Sequence, residues 1–484
     1  MSAICNMSTQ KDKAIRTTKW SAIERLAVQA IQLVISIIIA RLLCPEDFGI
    51  IGMISIFLGV SQSFIDCGFS QALIYKNNRT NTDSSTIFYF NIVIGFLCYG
   101  IIYAIAPFIA DFYHMPILKS VTRIISLSIP ITSFSLVQRA LLTANCDFKS
   151  QSFGSVPAAL LSGIIGIIMA YNNYGVWALV VQQLSYLIID TLILWIIAKW
   201  RPSWCFSWVS FKAFAKYGSK LLASGLIDTL YNNSYLIVIG KCFNATELGL
   251  YSKAKTFPYF ASVEPANILR RAVFPLLCQV KDDTAKLINI YSEYLKISVA
   301  IITPLIMGLC ALSKPVIVLL LSDKWLAAVP VVQLLCVSYA LSPIIMLNNN
   351  IYQVTGRTDL FLKLEIIKKI IGVTTLCVSV NFGLYGVLLG SLMSTTISLF
   401  LNMKFASKII PLTVKSQLSD IIPIFIISGF MACSVYFMTL IYMPNILQII
   451  SGIIVGIFVY IILLKIFKKN IYDNVKPIIS KILK

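Results

Sequence analysis

The chain has 484 residues, of which 58% are hydrophobic and 12% charged, and its formal net charge is +20. Soluble domains carry about 25% charged residues and about 45–50% apolar ones, so a water-soluble fold of this composition would expose large apolar patches. The apolar residues also fall in runs of about 18–25, the length of helix that crosses a hydrocarbon core of about 30 Å, so the expected fold is an all-α polytopic transmembrane helix bundle of about 14 helices.

The first 19 residues are polar and basic, with no apolar core and no small-residue cleavage site, so no removable signal peptide is expected. Spans are then read at roughly 20–43, 48–69, 87–109, 120–140, 154–171, 175–198, 216–240, 248–270, 295–320, 329–351, 365–381, 384–403, 420–443 and 446–466. With the N-terminus in the cytoplasm, the segments on that side hold 31 lysines and arginines against 8 outside, and Arg25 lies within the first span. That bias predicts both termini in the cytoplasm, and it makes the +20 a topogenic signal rather than a nucleic-acid footprint. The 12 cysteines are scattered without a C-x-x-C pair and His114 is the only histidine, so neither a metal site nor a disulfide framework is expected.

Two lobes are expected. Residues 40–51 (ARLLCPEDFGII) match 240–251 (GKCFNATELGLY), and 171–179 (YNNYGVWAL) match 382–390 (FGLYGVLLG). The matches fall at equivalent loops, so a parallel repeat is read: an N-lobe over 1–198, a cytoplasmic linker over 199–215, a C-lobe over 216–403, and two added helices with a basic tail over 404–484. Trp200, Trp204, Trp208 and Phe211 among basic residues suit a linker lying on the membrane surface.

The first span carries the strongest polar signal. Only 15 uncharged residues separate Arg25 from Arg41, about 22 Å of helix, so Glu24 and Arg25 reach the inner membrane boundary or pass it. Ser21, Arg25, Gln29, Gln32 and Ser36 share one helix face. Comparable stripes run through the second span (Ser55, Gly59, Gln62, Asp66) and the seventh (Ser224, Asp228, Asn232, Tyr235). The eighth carries Lys255, Tyr259, Ser262 and Arg270, interrupted by Pro258 and Pro265. The stripes either line a polar cleft or act as hydrogen-bonding seams between helices; unpaired cations suit the cleft better. Asn348, Asn349 and Asn350, with Tyr352 and Gln353, suit either sugar hydroxyls or helix-end capping. No phosphate-binding loop, zinc motif or nucleophile elbow is present, and no outer loop is large enough to fold around a nucleotide sugar, so no enzyme and no cofactor are expected.

The segment from Trp20, Glu24 and Arg25 into IIIARLLCPEDFGIIGM resembles the opening of Wzx-type polysaccharide flippases, in the multidrug/oligosaccharidyl-lipid/polysaccharide exporter superfamily. So do YGVWALVVQQ (174–183), YSKAKTF (251–257), RRAVFPLLCQVKDD (270–283) and SDKWLAAVPVVQLL (322–335). The resemblance runs from about Trp20 to Lys404. It implies a transporter of a bacterial inner membrane that moves a polyprenyl-pyrophosphate-linked oligosaccharide to the outer leaflet by alternating access. Such a protein would work beside a polysaccharide polymerase and glycosyltransferases. The positions that fit a cationic cavity are Arg25, Arg41, Lys255 and Arg270, with Gln29, Gln32, Asn232, Tyr259 and Asn349 as polar lining. Cation-coupled drug exporters of the superfamily rely on intramembrane carboxylates, for which Asp66, Asp190, Asp228 and Glu264 are the candidates here. Such an exporter is the first alternative; a membrane glycosyltransferase or polymerase is the second.

Overall fold

The computed structural model describes residues 27–66, 69–76, 79–145 and 147–468, and all regular structure among them is helical. Arg25, with Ser21 and Glu24, lies outside the described residues. Contacts group the chain into two compact units, one ending at Gly249 and the other beginning at Leu250.

The first unit holds α1 (Ala27–Leu42), α2 (Pro45–Asp66), α3 (Phe69–Tyr75), α4 (Asn81–Tyr113), α5 (Ile117–Ile125), α6 (Ser128–Ala144), α7 (Phe148–Tyr171), α8 (Val176–Ile197) and α9 (Trp208–Cys242). The start of α10 (Ala245–Pro258) also belongs to it. Local chemistry sets the ends of α4. Thr80 accepts from the Asp83 amide while the Asp83 carboxylate accepts from the Thr80 amide, a reciprocal cap on two orphan donors. At the other end His114 takes a left-handed conformation that closes the last turn. The expected fourth span is two helices. Pro130 has no N–H to give to Ser126, and α5 stops at that level before α6 begins.

Gly49 and Gly249, equivalent positions of the expected repeat, meet in space. A methyl on Gly49 would overlap the Ala245 carbonyl oxygen, and one on Gly249 would overlap that of Pro45. The first turns of α2 and α10 therefore cross in backbone contact that only glycine permits, as small residues allow between membrane helices.

The stretch 199–215 lies within the first unit, as does α9. Phe214 is buried in a cluster with Phe69, Leu73, Phe88 and Val137, and Trp200 and Phe211 pack against it. Aromatic burial against α3, α4 and α6 fixes this stretch to the first unit.

From Leu250 the second unit continues α10 through a π-helical turn (Tyr259–Val263) into α11 (Glu264–Gln279). Then follow α12 (Thr284–Ala311), α13 (Ser313–Leu321), α14 (Val329–Ala340), α15 (Ser342–Val354), α16 (Thr358–Ser379), α17 (Gly383–Ala406), α18 (Val414–Thr439) and α19 (Asn445–Phe467). Asp283 caps α12, and the hydrogen bond from the Lys286 amide holds its carboxyl below the usual carboxylate range. The expected ninth span continues past a break at Leu312 into α13, and the tenth is divided at Leu341. Pro315 and Pro343 sit in the first turns of the new helices, where a missing N–H costs nothing. The last two helices are packed into this unit. Tyr460 donates to the Ala300 carbonyl at 2.7 Å, and Gly452 and Gly456 let α19 close on Leu312, Val435 and Met431.

Among the described residues ten stretches are long and apolar enough to cross a membrane, with 359–406 counted once although a turn at Val380–Phe382 divides it. Neither α9 nor the run 245–279 is among them, because the polar stripes lower their hydropathy. The protein is a multi-pass membrane helix bundle.

Candidate transport site

The helical run 245–279 is built around its prolines. Pro258 cannot donate to the turn before it and Pro265 cannot donate to the turn it follows. The backbone widens between them, so that the Glu264 amide bonds the Tyr259 carbonyl five residues back. Ser262, fully buried, fastens this wide turn by donating to the Tyr339 carbonyl of α14 at 2.7 Å. Further along, Asn350 of α15 donates to the Arg270 carbonyl at 3.3 Å. The run is therefore held at two levels, one within the segment with altered bonding and one beyond it.

Two cations stand on this run. Lys255 and Arg270 are both half-buried, and among the described residues neither side chain has a hydrogen-bond or ion-pair partner. The Nε of Arg270 is fully enclosed and unsatisfied. Fifteen residues separate the two, about 22 Å along a helix axis. A regular helix would turn Arg270 about 60° away from Lys255, and the wide turn between them changes that angle. Tyr259, 38% exposed, lies on the same side at the start of the wide turn. Chemically this is a strip with donors and positive charge at both ends and an aromatic hydroxyl between. It suits an anion that brings its own charge into an apolar setting.

The other expected residues divide between lining and packing. Gln29 is half-buried and Gln32 exposed on α1, and Arg41 is exposed at its end. On α9, Ser224, Asp228 and Asn232 are all exposed along one face, which against lipid would be costly. Asp66 is half-buried at the end of α2, with one carboxylate oxygen enclosed and unbonded; Glu264 is half-buried at the start of α11.

Asp190 is different. It is buried on α8 and pairs with Arg139 of α6, Nη2 to Oδ2 at 2.5 Å. The sequence singles out Asp190 but not its partner, because Arg139 falls at the end of an expected span and counts in the sequence as a topogenic charge. The signal available is a carboxylate in one span with an arginine inside another. Of the three asparagines, Asn348 accepts from Tyr291 at 2.9 Å in the core and Asn350 holds Arg270's backbone, so both pack the unit together. Asn349 is half-buried, and its carbonyl oxygen, like that of Asn350, is enclosed and unbonded. Lys368 and Glu365, unremarked in the sequence, pair on α16.

This is the architecture of a multi-pass membrane helix bundle with charged groups inside its helices. The chain belongs to the polysaccharide biosynthesis protein family, which matches residues 38–330. It is 25% identical over 344 residues to the teichuronic acid biosynthesis protein TuaB of Bacillus subtilis, covering 71% of each chain. To the lipopolysaccharide biosynthesis protein WzxC of Escherichia coli it is 24% identical, over 81% of this chain and 80% of that one. Its fold is similar to that of the lipid II flippase MurJ in an inward closed conformation. The TM-score is 0.73 at 16% identity, covering 93% of this chain and 99% of the other.

Proposed function

We propose that the protein moves a polyprenyl-pyrophosphate-linked oligosaccharide from the inner to the outer leaflet of a bacterial cytoplasmic membrane by alternating access. The observation that carries this reading is the pair of half-buried cations on 245–279 without counter-charges among the described residues. A pyrophosphate entering hydrocarbon must exchange its hydration for cations and donors, and unpaired lysine and arginine supply both. The family membership and the named roles of its relatives in polysaccharide assembly support the same substrate class. Arg25 and Arg270 would grip the head group with their forked guanidinium groups, and Lys255 would pass it along as a mobile point charge. Arg41, Gln29, Gln32, Asn232, Tyr259 and Asn349 would line the route. Asp66, Asp228 and Glu264 remain the carboxylates for ion coupling; Asp190 suits that role less well because Arg139 already holds it. Both termini would lie in the cytoplasm, with polymerase and glycosyltransferases as partners.

Removing the protein from its host tests the reading. Lipid-linked repeat units should accumulate on the inner leaflet while surface polymer falls. A strain that instead changes only its drug sensitivity would favour a cation-coupled drug exporter. For Arg25, replacement by Gln should stop export at normal abundance and replacement by Lys should leave part of it. Wild-type export from the Lys variant would assign Arg25 to topology alone.

A further inference from the structure

Residues 199–207 join α8 to α9, and side chains of α4 clamp them in place. Trp200 Nε1 donates to Asn81 Oδ1 at 2.6 Å, the Ser203 amide to Ser85 Oγ at 3.0 Å, and the Ser207 amide to Thr86 Oγ1 at 3.0 Å. Arg201 donates to the carbonyls of Trp195 and Ala198 at the end of α8. The clamp leaves an apolar face outward: Trp204 is 96% exposed, Val209 81% and Trp208 67%. Lys199 and Lys212, exposed on either side, have no partner among the described residues. Between Thr191 and Ile227 the chain has five lysines and arginines and no acidic residue.

We propose that this strap is a docking surface for membrane lipids with anionic headgroups. Indole rings settle at the headgroup level, and the strap sits at the ends of two long apolar helices, where headgroups already are. Lysines beside those rings, without partners among the described residues, complement lipid phosphate. Because α9 begins at Trp208, the bound lipid fixes the first turn of the helix that carries Ser224, Asp228 and Asn232. The inference rests on the strap alone and stands or falls apart from the transported substrate.

The test uses the full chain in lipid nanodiscs. Bromines placed high on the acyl chains are carried either by phosphatidylglycerol or by phosphatidylcholine, and the part of the fluorescence lost in Trp204→Phe/Trp208→Phe is followed. Brominated phosphatidylglycerol should quench that part more strongly. Lys199→Gln/Lys212→Gln should reduce the preference about fivefold for each lysine removed, and Lys281→Gln should leave it unchanged. Equal quenching by both lipids, or a preference that survives the double lysine change, overturns the proposal. So does the absence of quenching by either lipid, the result expected if a soluble partner seats there.

Discussion

Arg139 and Asp190 in the first unit and Lys255 and Arg270 in the second are charged groups set within helices and handled in opposite ways. Asp190, with a side chain 3% exposed, is neutralised by an arginine from a neighbouring helix. Lys255 and Arg270 have no such partner among the described residues, and a cation at the centre of a membrane helix costs about 2.5–3.5 kcal/mol even on insertion scales. A paired charge contributes to holding the fold. An unpaired one weakens it, so its presence calls for a use outside the fold.

That contrast can be broken by single substitutions. The largest stability effect is expected at Arg139. Arg139→Ala leaves Asp190 buried and unpaired, a loss of about 3–5 kcal/mol for a fully enclosed pair. With the arginine side chain 38% exposed, the lower end, about 3 kcal/mol, is expected. The thermal midpoint in detergent measures it, and Arg139→Leu/Asp190→Leu should recover most of the loss. A double variant no better than Arg139→Ala would mean that the pair is not the source of the effect. Lys255→Met should move the other way and raise stability by about 1 kcal/mol, less than the full insertion cost because the residue is only half-buried. A fall in its midpoint would show that Lys255 is internally satisfied. The smallest effect is expected at Lys296, which meets Asp420 at 3.1 Å with both side chains a quarter to a third exposed. Lys296→Ala should cost about 0.5–1 kcal/mol and fade as salt is added.

The sequence made much of this legible, and for identifiable reasons. Hydropathy exposes the bundle because the bilayer imposes it directly. Pro258 and Pro265 mark the wide turn on 245–279 because proline removes a backbone donor whatever surrounds it. The glycines of the repeat, Gly49 and Gly249, point to a shared loop, and the backbone crossing they permit follows from their lack of a side chain. What stayed hidden depends on partners remote in the chain. Nothing near Asp190 in sequence signals Arg139, fifty-one residues away. Asn348 and Asn350 suit sugar hydroxyls or helix-end capping in the sequence, and only the structure shows one bonded to Tyr291 and the other to the Arg270 backbone. The breaks at Leu312 and Leu341 vanish in hydropathy because the residues on both sides are equally apolar.

The central claim is that the unpaired cations of 245–279 serve a transported anion rather than the fold. Its most direct test is Arg270→Gln, with membrane abundance, thermal midpoint and accumulation of lipid-linked repeat units measured on the same cells. The account predicts normal abundance, a midpoint equal to or above that of the wild type, and intermediates trapped on the inner leaflet with little surface polymer. Unimpaired polymer export, or export that falls only in proportion to the amount of protein in the membrane, would contradict it.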